Sequence, residues 1–88
     1  MKIAGMRNAI VIVSWKHNHN EFKINGESYE IYAYYYKDGY LKPNHDIYND
    51  PNLSGLDGIF NGDSHIFKYQ SVVTAMEYIN KKYNKKTY

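Results

Sequence analysis

The chain has no cysteine, two prolines and a single arginine, Arg7, among its 88 residues. Without thiols there is neither a disulfide framework nor a thiolate zinc site to make up for a thin core, so packing has to stabilise the fold. The longest apolar run, Ala9 to Val13, is too short for a signal-peptide core or a membrane span. We therefore expect a cytoplasmic protein, in the host-cell cytosol if phage-encoded, with no membrane partner.

Motifs for catalysis are missing as well. Ser14, Ser54, Ser64 and Ser71 lack the glycine-flanked elbow of hydrolases, and the adjacency of Asp63, Ser64 and His65 is no evidence that they converge in space. There is no phosphate-binding loop and no dinucleotide glycine pattern, since the glycines stand mostly beside Asn or Asp as turn residues. Neither an enzyme nor a cofactor is expected. His17 and His19 share one side of an extended segment, and His45 and His65 could complete a metal site, but scattered loop histidines are more often solvated, so no metal is assigned. Asp50 to Gly55 imitates the start of a calcium loop, yet its twelfth position is Asn61 where a bidentate glutamate is required, and Pro51 intrudes. It reads as an Asx-rich turn.

Charge gives no whole-molecule polyanion signal. The formal balance is +2, and 4 of the 11 basic residues, Lys81, Lys82, Lys85 and Lys86, sit at the C-terminal end. Abundant Lys, Asn, Tyr and Ile with a lone arginine suit an AT-rich genome, such as those of low-GC bacteria and their phages.

At this length one hydrophobic core is expected, because small chains bury only roughly 60 to 65% of their unfolded surface. We read residues 1–88 as a single α+β domain, a three- to five-stranded antiparallel sheet with one C-terminal helix packed on one face. Ala9 to Trp15 is continuous and β-branched, which predicts a strand covered on both faces or central in the sheet. Asn25-Gly26 predicts a two-residue hairpin turn between Glu21–Ile24 and a strand over Glu27–Lys37, and Asp38-Gly39 predicts a second turn before Tyr40–Lys42. Residues 43–64, rich in Asn, Asp and Gly, read as a long loop, shortened by a 3₁₀ turn near Leu53 to Leu56. A closing strand is expected over His65–Tyr69. Ser71 caps a helix whose stripe is Val72, Ala75, Met76, Ile79 and Tyr83, and residues 84–88 read as a frayed basic tail.

The most informative segment is Ser28 to Tyr36, because a strand's period of two separates it into two faces. Tyr29, Ile31, Ala33 and Tyr35 form the better core face, with an aliphatic residue and a small one to admit the helix. Glu30, Tyr32, Tyr34 and Tyr36 form the other. If a loop covers those rings they are core; if it does not, they are an amphipathic contact surface.

Two partner classes suit such a surface. A protein partner would use Tyr32, Tyr34 and Tyr36 as anchors beside Glu30, with Asp46, Asp50 and Asp57 of the acidic loop as a charged rim. Nucleic acid would stack on the same rings, with Lys23, Lys37, Lys81, Lys82, Lys85 and Lys86 on phosphates. Few cations lie near the ladder, which favours the protein. An open sheet edge would also allow a homodimer.

The order of short strands before a helix opening Ser71-Val-Val-Thr-Ala-Met-Glu-Tyr-Ile79 is loosely similar to the sheet-plus-helix DNA-binding domains of some integrases, which implies DNA contact through the sheet. That likeness covers only the helix opening, and the arginines of a DNA-reading sheet are missing. The short, cysteine-free, tyrosine-rich chain also resembles the small proteins by which phages block host defence nucleases, anti-CRISPR proteins among them. That resemblance implies a non-enzymatic inhibitor of a host enzyme or nuclease complex.

Overall fold

Two long strands dominate the computed structural model, which describes residues 1–84. β2 (Met6–His19) and β3 (Ile24–Lys37) pair antiparallel without a bulge from Asn8 opposite Tyr35 to His19 opposite Ile24. β1 (Lys2–Ile3) folds back on the start of β2, pairing only with Met6 and Arg7. On its other side β3 carries two partners end to end: β4 (Tyr40–Pro43) beside Tyr34–Lys37, and β5 (Ser54–Phe60) beside Asn25–Glu30. β6 (Asp63–His65) closes that edge against β5. The gap between β4 and β5 is filled by α1 (His45–Tyr48) and a 3₁₀ turn at Pro51–Leu53. Asn44 caps α1 through its side chain and donates its amide to the Ala33 carbonyl at 2.7 Å, so the gap keeps its main-chain bonding.

α2 (Val72–Tyr83) begins in a reciprocal capping box between Ser71 and Thr74. It packs on the face carrying Tyr29, Ile31 and Ala33. Ala75 and Ile79 are fully buried there, together with Ile47 and Leu53 from the gap segment and Phe67 from the stretch before the helix. Ala33 and Ala75 are the small residues of this cluster, and Val72, assigned to the apolar stripe, stands exposed instead.

The fold class is α+β with an antiparallel sheet and one C-terminal helix, as expected, but the sheet has six strands rather than three to five. The extra strands come largely from residues 43–64, which are not a loop. Asp57, Gly55 and Gly58 disguised β5 as turn sequence, yet each does local work. Gly26 lies opposite Gly58, and a Cβ on Gly26 would collide with the Asp57 carbonyl oxygen and stand 2.8 Å from the Phe60 ring. The two glycines let the strands approach, which is also why Asn25-Gly26 is not the hairpin turn. The chain reverses instead through a 3₁₀ turn at Asn20–Phe22, with Lys23 left-handed at φ 53°. Asp38-Gly39 does form the second turn, both residues having positive φ as that tight turn demands. The closing strand ends at His65, and Ile66–Tyr69 is irregular because its Phe67 amide turns aside to the Asp57 carboxylate at 3.1 Å. Asn84 is no frayed end: its side chain accepts from the Ala4 amide at 2.9 Å and donates to the Lys2 carbonyl at 2.6 Å. The rest of the expected tail, Lys85 to Tyr88, lies outside the described residues.

Candidate interaction surface

With α2 on one side, the reverse side of the sheet carries no second layer among the described residues. The molecule measures 49 × 34 × 19 Å, and the shortest dimension accommodates one sheet and one helix layer but no third. Register puts Ala9, Val11, Val13 and Trp15 of β2 on this outer face, beside Tyr34, Tyr32, Glu30 and Ser28 of β3 respectively. Tyr36 continues the row and pairs with Leu41 of β4. Tyr36 is 70% exposed, Leu41 66%, Trp15 46% and Val11 40%, while Tyr32, Tyr34 and Val13 between them are half-buried.

Three rings form a connected patch. Tyr32 lies 6.4 Å from Tyr34, and Tyr48, delivered from α1, stacks on Tyr32 with centroids 5.9 Å apart. Tyr32 donates its hydroxyl to the Glu30 carboxylate, fixing the ring and giving that charge a partner. At the far end of the same face His17 meets Phe60 edge-on at 5.9 Å and pairs its Nε2 with the Ser28 hydroxyl at 2.9 Å.

Of the other residues assigned to the contact, Asp46 is exposed in the first turn of α1. Asp50 is not available to a rim. It is buried, and its carboxylate accepts from the Tyr83 hydroxyl at 2.7 Å, Tyr78 at 2.9 Å, Lys82 at 3.1 Å and the Asn52 amide at 2.9 Å. Burial pushes this carboxyl upward, and the hydrogen bonds from Tyr83, Asn52, Tyr78 and Lys82 outweigh it, holding the group below its ordinary value. Lys82 is raised in turn, first by its bond to Asp50. Tyr83 is pushed up to about 12, by burial and then by Asp50. The cluster ties the 3₁₀ turn to α2. Asp57 is likewise spent within the fold, on the Phe67 amide, with its side chain on the helix side.

The lysines do not gather around the rings. Lys37 and Lys42 fall on the register positions of the helix side, Lys81 and Lys82 belong to α2, and Lys23 sits at the hairpin tip. Lys85 and Lys86 lie outside the described residues. Among the described residues no three His, Asp or Glu side chains are grouped as a metal would require, and no helix is long and apolar enough to cross a membrane.

Sequence reasoning missed Val11, Val13, Trp15, Leu41 and Tyr48 as members of this surface. Continuous β-branched character in β2 suggested cover on both faces, whereas one face is open. Alternation from Ala9 to Trp15 was the available signal, once β2 is placed beside β3. No family model matches the chain, and neither a curated protein nor a solved structure matches it.

Proposed function

We propose that this is a small non-enzymatic protein-binding module that engages its partner through the outer face of the sheet. The observation that carries this reading is an outer sheet face bearing exposed Trp15, Val11, Tyr36, Leu41 and Tyr48 around the half-buried rings of Tyr32 and Tyr34, on a slab too thin to have a third layer. Rigid rings with few rotors and water-tolerant hydroxyls suit a contact that must be soluble when free and dry when bound. Glu30 and Asp46 would supply acidic groups beside the rings.

A nucleic-acid partner fits less well, because Lys23, Lys37, Lys81 and Lys82 lie at the hairpin tip, at a helix-side register position or on α2, and the cations at outer-face register positions, Lys2 and Arg7, stand at the β1 end of the sheet. Within the protein-binding class, the chain's size and composition suggest an inhibitor whose partner is a host defence enzyme or nuclease complex. Replacing Tyr34 and Tyr36 together by alanine should abolish capture of the partner from host lysate. The melting temperature should fall by no more than about 5 °C, since surface changes cost little stability. Retained capture would refute the assignment, and a collapsed melt would mean the rings are core. A labelled oligonucleotide binding tightly at low salt and weakening steeply as salt rises would favour the nucleic-acid alternative.

A further inference from the structure

β2 has an open edge. Its inner neighbour from Asn8 to His19 is β3, but on the other side β1 covers only Met6 and Arg7, and among the described residues no segment hydrogen-bonds to that outer edge from Ala9 to His19. Soluble proteins usually blunt such an edge with proline, charge, a bulge or a short strand. Ala9 to Trp15 has none of these: it holds no proline, glycine or charge, and its register against β3 is unbroken.

The phase of the free groups is fixed by one reciprocal contact. The Asn8 amide donates to the Met1 carbonyl at 2.6 Å and the Met1 amino group donates to the Asn8 carbonyl at 2.8 Å, so both main-chain groups of Asn8 point away from β3. Alternation then aims those of Ile10, Ile12, Ser14, Lys16 and Asn18 into solvent.

We infer that the occupant of this edge is the β2 strand of a second copy, antiparallel, with Ser14 opposite the partner's Ser14. Registers that move the two-fold axis toward Ile12 drive the hairpin end of one copy into β1 of the other. With the axis at Ser14 the free edge is filled and stops at the first strand. Ile10, Ile12, Ser14, Lys16 and Asn18 then form hydrogen-bonded pairs, up to about ten main-chain bonds. Val13 meets the partner's Trp15, Val11 the partner's His17, and Lys16 the partner's Ile12, so no like charges face each other.

Exposed area agrees with this. The chain exposes 6598 Å² at 10.4 kDa, where a compact monomer of that mass exposes about 5,400 Å². Its radius of gyration is 15.4 Å, against about 12 Å for a compact domain of this length. Pairing would join the two sheets edge to edge and set both aromatic faces on one surface. The inference does not rest on the protein-binding reading, since the edge and the outer face can be altered separately.

Sedimentation at millimolar concentration should give twice the monomer mass. Because the chain has no cysteine, single cysteines report register: Ser14→Cys should cross-link to a dimer under mild oxidation, the paired Cα atoms being about 5.5 Å apart. Asn18→Cys should not cross-link, since its copies lie roughly 27 Å apart along the seam. Ser14→Pro removes an amide that points to solvent and should give a folded monomer by circular dichroism and sedimentation. A monomeric mass for the unaltered chain at millimolar concentration would overturn the inference, as would cross-linking through Asn18→Cys that matches Ser14→Cys. If Ser14→Pro does not fold, the cysteine pair decides. Failure here, with partner capture still dependent on Tyr34 and Tyr36, would leave the proposed function standing.

Discussion

Replacing Asp50 by alanine tests the one charged group that is buried among the described residues. Four donors converge on its carboxylate: two tyrosine hydroxyls, the Lys82 ammonium and the Asn52 amide. Hydrogen bonds to a charged group contribute about 1.5 to 3 kcal/mol each, and removing one member of a buried ion pair costs about 3 to 5 kcal/mol. Tyr78, Tyr83 and Lys82 reach partly exposed positions and can turn to water, which places the loss at the lower end, about 3 kcal/mol. For a domain of this size that corresponds to a fall in melting temperature of about 15 °C, measurable by scanning calorimetry.

The pH dependence gives a second handle on the same group. The folded carboxyl lies below its unfolded value, so its stabilisation is present in full above about pH 4 and is lost as pH falls through the folded value. The difference in melting temperature between the native chain and Asp50→Asn should therefore shrink as pH is lowered beneath about 4. At the alkaline end the sign reverses. Tyr83 is held protonated up to about 12, so its contribution is complete below the ordinary phenol value near 10 and disappears as pH rises through the folded one. A loss under about 4 °C for Asp50→Ala at neutral pH would refute the reasoning, because four satisfied donors could not then be holding the turn to the helix.

Gly26→Ala should destabilise by about 2 to 3 kcal/mol in urea denaturation, since the new methyl meets the Asp57 carbonyl and Phe60; a neutral result would mean that β3 and β5 can separate freely. Ile79→Ala, at a fully buried site between helix and sheet, should cost about 3 kcal/mol by the same measurement. Gly39→Ala, at φ 82°, should cost about 1 kcal/mol without changing the fold by circular dichroism, whereas a broad loss of sheet signal would contradict its role as a local turn.

Local chemistry made several elements readable from residue order alone. Ser71 and the apolar spacing after it define α2, Asp38-Gly39 defines a tight turn, and period two in Ser28–Tyr36 divides core from ladder, because each depends on neighbours within one turn or one strand. What depended on distant partners was hidden. Gly26 looked like a turn residue until Gly58 was seen opposite it. Asp50 looked like a solvated loop acid, and only the arrival of Tyr78, Lys82 and Tyr83 from about 30 residues away makes it a buried tie. Trp15 and Val11 read as interior because their strand is apolar throughout, and it took the placement of the single helix to leave one side of that strand uncovered. A strand's alternation is a covalent property of the chain, whereas which of its faces stays open is set by how many layers the rest of the sequence can supply, and the described residues supply one helix long enough to cover a sheet face.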